Sequence, residues 1–196
     1  MTAQRKAAQL VTSLVVLLAS VRLEAGDETS PVLVVALDNR AAVRPATMQR
    51  ACATVTRVYA AAGVDLRWNG CPGTDTSESP RITLAVIPSA FAHARTGSRN
   101  VLGLAAETDA GIGRMAYLFY DRIVAFAEHR GHDVSATLAL TMTHELGHLL
   151  LPPISHGAGG VMKARWAFAD MVDVSQGRLR FPPEQAAIMR ERLRAW

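Results

Sequence analysis

Residues 143–150 read Thr-His-Glu-Leu-Gly-His-Leu-Leu, and His144, Glu145 and His148 are the side chains best suited to chemistry. On a helix, residues four apart lie on one face, one turn above each other. His144 and His148 then offer two imidazole nitrogens to a single metal ion. Glu145 sits about 100° round the helix from His144. It is badly placed to be a third ligand but well placed to take a proton from a water held by the ion. Two ligands and one base at this spacing are the zinc-hydrolase reading of H-E-x-x-H.

The surroundings favour a helix. Residues 135–143 contain neither glycine nor proline, and Asp133 or Ser135 can cap the start. Leu138, Met142, Leu146, Leu149 and Leu150 surround the polar stripe with apolar contacts, so the helix belongs to the core. Two histidines and a glutamate buried there without partners would be destabilising, and one metal ion satisfies all three.

Catalytic zinc sites usually carry three protein ligands. Pro152 and Pro153 must stop the helix just past His148, and His156 is the first metal-competent side chain after them. Gly157, Gly159 and Gly160 permit a tight turn that brings Met162 beneath the ion. Asp170 and Asp173 are the alternatives to His156 as third ligand. His93, in a loop, and His129 and His132, which flank a helix break, are expected at the surface or in capping roles. For His93 a part in substrate binding is the alternative.

Other elements must position this helix. Residues 31–38 form a nearly continuous apolar run that suits a buried strand. Arg44-Pro45 opens a helix whose Met48, Ala51, Val55, Val58 and Tyr59 share one side, and Gly63 ends it. Residues 64–68 alternate as a half-buried strand, 72–80 are a surface loop, and 81–87 are a third strand. Small residues at 101–106 suit an edge strand. A turn at Gly111 and Gly113 leads to a fifth strand over 115–120, and a short helix begins at 123–128. The chain ends in a helix from Glu184 to Trp196, with Ala187, Ile188, Met189, Leu193 and Trp196 as its packing stripe on the sheet or on the His144 helix. The expected class is α/β (α+β), a twisted sheet covered by helices.

At 196 residues the chain is long enough for one domain with a proper core. Arg5, Lys6 and Arg22 against Glu24 place +2 of the formal +4 in the first 25 residues. The remaining +2 forms no basic run, which argues against a nucleic-acid footprint. Residues 1–25 read as a signal peptide, with Arg5 and Lys6 before the apolar 7–21 stretch, and 26–196 as a single domain. An uncleaved anchor is the alternative reading of that stretch. Cys52 and Cys71, an even pair in an exported chain, suggest one disulfide between a helix and the segment after the next strand. The alternative is two buried thiols.

His144, Glu145, His148, His156 and Met162 resemble the metzincin clan of zinc metallopeptidases. Its signature is H-E-x-x-H-x-x-G-x-x-H followed by a methionine-containing turn under the metal. Seven residues separate His148 from His156, where the family has five, and Leu151 stands at the family's glycine position. The strand order is also similar to the metzincin upper subdomain. Residues 101–106 resemble the antiparallel edge strand that lines the cleft in matrix metalloproteinases. The resemblance implies a mostly parallel five-stranded sheet with that edge strand, packed on the active-site helix, and a small C-terminal subdomain ending in a helix.

It further implies a secreted or periplasmic zinc-dependent metalloendopeptidase. His144, His148 and His156 would hold Zn²⁺, and Glu145 would act as general base. Peptide substrate would lie along Gly103, Leu104 and Ala105. The enzyme would be a monomer, with no nucleic-acid partner and no stable membrane partner after leader removal. From another class comes an exported binding or structural domain that keeps the zincin scaffold without hydrolysis.

Overall fold

A computed structural model of the chain describes residues 29–91, 101–106, 114–153 and 155–196. The leader expected at 1–25, His93 and the Gly111–Gly113 turn lie outside the described residues.

The sheet begins with β1 (Val32–Asn39), whose Leu33, Val34, Val35 and Leu37 are buried. This strand has a parallel partner on each side, β2 (Asp65–Asn69) and β3 (Ile82–Ile87). A strand in that position is covered on both faces, which is why its apolar run does not alternate. β5 (Met115–Phe119) pairs parallel with β3, and β4 (Gly103–Ala106) pairs antiparallel with β5. The order is β2-β1-β3-β5-β4, so the small-residue strand lies at an edge, as its composition suggested.

α1 (Pro45–Ala61) connects β1 to β2 and buries Met48, Ala51, Cys52, Val55, Val58 and Tyr59. Pro45 supplies a φ already suited to a first turn. Gly63, with φ +75°, takes the left-handed position after the last turn. The Cys52–Cys71 disulfide joins this helix to the segment after β2, closing a loop of 19 residues.

α2 (Tyr120–Arg130) starts directly at the end of β5, earlier than the apolar pattern suggested, and stops at Gly131 with φ +66°. α3 (Val134–Leu150) follows and is buried on nearly every side, with only Val134 and His148 part-exposed. A helix covered all round must satisfy its polar side chains internally. Thr137, Thr141 and Thr143 do so by donating hydroxyls to the carbonyls of Asp133, Thr137 and Ala139 at 3.0, 2.9 and 2.7 Å. The Tyr59 hydroxyl donates to the Thr143 carbonyl at 3.2 Å, tying α1 to α3.

Two short helices complete the chain. α4 (Phe168–Ser175) falls in a stretch the sequence pattern left without an element. It buries Asp170, Met171 and Val174, and the Asp170 carboxylate accepts the Ala167 N–H at 2.7 Å. α5 (Pro183–Arg194) packs on α3 and buries Met189 and Leu193 of the expected stripe, with Ile188 and Trp196 partly buried against the core; Ala187 is exposed and Ala186 is buried instead. Among the described residues no helix is long and apolar enough to cross a membrane.

The bridge and the α3 cap each yield a test. Replacing both cysteines by serine should lower stability by about 3 kcal/mol, because the unfolded chain regains the entropy of a closed loop. That is a fall in Tm of roughly 6–12 °C for a chain of this size; an unchanged Tm would show that the bridge constrains nothing. At the cap, the Asp133 carboxylate accepts the Ala136 N–H at 2.9 Å and the Ser135 hydroxyl. Burial alone would raise the Asp133 pKa, but these bonds and nearby Arg50 hold it below the usual carboxylate range. A depressed folded pKa contributes stability that is complete above the unfolded value of about 4 and fades as pH falls through the folded one. Asp133→Ala should therefore cost about 1 kcal/mol at neutral pH. The difference from the parent should shrink in acid, and equal unfolding curves at pH 7 would refute the capping role.

Candidate metal centre

His144 and His148 project from successive turns of α3, and His156 comes back to them from the loop that begins at Pro152-Pro153. Their Nε2 atoms form a nearly equilateral triangle. His144 lies 3.1 Å from His148, His148 3.1 Å from His156, and His156 3.2 Å from His144. His144 is buried, His148 part-exposed and His156 exposed, so the triad opens to solvent on the His156 side.

The ring nitrogens facing away are engaged. His144 Nδ1–H donates to the Val161 carbonyl at 3.0 Å, and His148 Nδ1 meets the Ser155 hydroxyl at 3.3 Å. A carbonyl only accepts, so it fixes the proton on Nδ1 and leaves the lone pair of His144 on Nε2. Burial pushes both His144 and His148 down to about 4, which keeps both rings neutral at ordinary pH. Three imidazole nitrogens so close cannot all hydrogen-bond to one another, and their lone pairs repel unless a cation lies among them. A tetrahedral zinc with bonds of about 2.0–2.1 Å separates its ligand nitrogens by roughly 3.3 Å, near the spacing observed. The residues fit a metal ion.

Glu145 is also buried, and its carboxylate takes a hydrogen bond from the Ala105 backbone of β4. Burial pushes it up to about 8, with the Ala105 bond pulling the other way. Gly103 is what lets β4 come so close. A Cβ there would stand 2.6 Å from Glu145 Cγ and 2.7 Å from Oε1. Phe119 N–H donates to the Leu102 carbonyl, and alternation along the antiparallel ladder turns the backbone groups of Gly103 and Ala105 away from β5.

Met162 is fully buried beneath α3. A Cβ on Gly147 would meet Met162 Sδ at 2.5 Å and the Phe181 ring at 3.1 Å, so the glycine inside H-E-L-G-H makes room for the methionine turn. Gly157 N–H donates to the Met162 carbonyl at 2.9 Å, and Val161 N–H to the Arg180 carbonyl at 3.1 Å. Gly160, with φ +72°, lies where a Cβ would meet that Arg180 carbonyl oxygen at 2.5 Å.

Trp166 was not singled out by sequence. Its ring meets His144 edge-on at 5.1 Å, and its Nε1–H donates to the Val161 carbonyl at 3.3 Å, the oxygen that also orients His144. No spacing rule links a tryptophan to a histidine 22 positions earlier. The alternative ligands are engaged elsewhere. Asp170 is held by Lys163 Nζ at 2.7 and 2.9 Å, and Asp173 by Arg178 at 2.6 Å. The His132 ring lies between Phe126 and Phe168, at 6.3 and 5.2 Å, and His129 is exposed in the last turn of α2. The expected sites thus converge as a triad with one adjacent carboxylate, in the wall of a cleft of about 1010 Å³.

The chain matches no protein-family model and no curated protein.

A metal-stripped chain given Zn²⁺ should gain stability. At a free concentration about 100 times Kd the gain is about 2.7 kcal/mol, or roughly 5–11 °C in Tm. His148→Ala should lose the response. A parent whose Tm ignores Zn²⁺, Co²⁺ and Ni²⁺ alike would remove the case for a metal centre.

Proposed function

We propose that the chain is a zinc-dependent endopeptidase of the metzincin type, working outside the cytoplasm as a monomer. The observation that carries this reading is the joint placement of three converging Nε2 atoms, one buried carboxylate and a sheet edge in one open cleft. The Cys52–Cys71 bridge supports the compartment, since disulfides persist in oxidising surroundings.

His144, His148 and His156 hold the ion, with Val161 and Ser155 orienting two of the rings. Zinc, when bound, supplies a Lewis acid that lowers the pKa of water and polarises a carbonyl. Glu145 accepts a proton from the attacking water at its carboxylate and delivers it to the leaving amine. Burial alone favours the protonated form of Glu145, and a cation beside it would favour the carboxylate that accepts the proton; the Ala105 N–H keeps the group aimed. Substrate lies extended beside β4 and pairs with the outward backbone groups of Gly103 and with the Ala105 carbonyl, which makes it a further strand while the Ala105 N–H stays on Glu145. Leu104 alternates to the opposite side.

A second reading keeps the metal and drops the chemistry. The Ala105 bond to Glu145 and the longer His148–His156 connection favour it, because a carboxylate engaged by backbone can also be structural. Glu145→Gln separates the two. On the enzymatic reading the variant retains one zinc per chain and loses on the order of 10²–10⁴-fold in turnover of a mixed peptide library. Undiminished turnover in that variant refutes the role of Glu145. A zinc-loaded parent that cleaves nothing supports the binding domain instead.

A further inference from the structure

The cleft is strongly unbalanced in charge. Arg122, Arg130, Lys163 and Arg165 line it, and Glu145 is the sole carboxylate among the described lining residues. Lys163 is neutralised by Asp170 at 2.7 Å. Among the described residues, the other acids near this wall are turned elsewhere. Asp121 accepts from the Ser89 backbone and hydroxyl, and Asp133 from Ser135 and Ala136. Glu128 lies about 200° round α2 from Phe126, away from the cleft face.

The arginines are placed by apolar neighbours. Arg122, Phe126 and Arg130 follow one another at four-residue steps and form one stripe of α2. The Arg122 guanidinium donates to the Val101 carbonyl at 3.0 Å and lies 4.8 Å from the Phe119 ring centroid. The Arg130 guanidinium lies 4.5 Å from the Phe126 centroid. Arg165 is exposed on the segment after Met162, beside Trp166. Neither Arg130 nor Arg165 is in an ion pair among the described residues. The eight helical steps from Arg122 to Arg130 span about 12 Å, the reach of three to four residues of extended peptide.

We propose that this cleft selects acidic polypeptide segments, whose aspartate and glutamate side chains pair with Arg130 and Arg165 beside the scissile bond. The inference rests on the reading of β4 as the strand on which substrate lies. A peptide suits the site better than a nucleic acid. The sheet edge offers backbone partners to an extended chain, and outside the leader the net charge is only +2, without a basic run.

The test uses the zinc-loaded mature chain and three fluorogenic peptides of one core sequence, flanked by aspartates, by glutamines or by lysines. The aspartate peptide should lead the glutamine peptide by about tenfold in kcat/KM, the scale of two or three half-exposed ion pairs. The lead should shrink towards unity at ~0.5 M salt, where charges are screened within a few ångströms. Arg130→Glu with Arg165→Glu should abolish the preference for aspartate and favour the lysine peptide. Equal kcat/KM for aspartate and glutamine peptides in the parent overturns the proposal. If nothing is cleaved, fluorescence anisotropy of the same peptides on the Glu145→Gln chain decides separately. Tighter binding of the aspartate peptide sustains the acidic selectivity while the peptidase reading fails, and equal binding of all three sinks the selectivity itself. A single-stranded oligonucleotide that binds as tightly as the aspartate peptide also overturns it, in favour of a general polyanion surface.

Discussion

Three imidazoles with their Nε2 atoms 3.1–3.2 Å apart are an arrangement that a folded chain does not hold without a reason. Two of the rings are held by partners outside the triad, the Val161 carbonyl and the Ser155 hydroxyl. Two stand on α3, where helix geometry sets their spacing, and the third is delivered by a loop that must turn sharply within a few residues. Much of the C-terminal part of the chain serves that turn. The Arg180 carbonyl receives Val161 N–H, the Phe181 ring packs edge-on against Tyr59 at 5.2 Å, and Gly160 allows the close crossing. Val161 then presents its own carbonyl to His144. The same short segment that brings the methionine under α3 also sets the tautomer of His144 above it.

The rigidity of α3 explains why the site can be exact in position. The helix is enclosed by α1, α2, α4, α5, β4 and β5, and a close-packed interior resists displacement of any one member. Its three buried threonines at 137, 141 and 143 turn their hydroxyls onto carbonyls one turn earlier and demand no partner outside the helix, while Tyr59 braces it from α1. Contact with β4 is what brings the carboxylate and the sheet edge together. Gly103 is the residue that permits it, because any side chain there would occupy the space of Glu145.

Much of this was legible from residue types alone. The continuous apolar run of β1, the Pro45 and Gly63 boundaries of α1, the edge character of 103–106 and the four-residue spacing of His144 and His148 each have a local physical cause. The Cys52–Cys71 pairing followed from count and context. What sequence did not disclose depends on contacts between distant segments. α4 is only eight residues long, with two apolar anchors and no Ser, Thr, Asn or Asp at its N-cap, so its periodicity is too brief to read. In α5 the difference is one position, Ala186 buried where Ala187 was expected: the two lie about 100° apart, and only contact with the core chooses between them. The basic lining of the cleft draws on α2 and on the loop after Met162, segments that nothing in the linear order connects.

Seven residues connect His148 to His156, and their path sets what the second ring meets. Leu151 is buried in the core, and the exposed Pro152-Pro153 pair follows it. That path places Ser155 beside His148, with its hydroxyl 3.3 Å from Nδ1. Gln185 of α5 donates its side-chain N–H to the Ser155 carbonyl at 3.0 Å and so anchors the loop at that point. A hydroxyl rotates and can either give or take a proton, whereas the Val161 carbonyl can only take one. His144 is therefore held in one tautomer by its partner alone. His148 depends on the position of a serine, and that position depends on α5. The last helix thereby bears on the candidate metal centre through a single backbone oxygen, without adding a side chain to the triad.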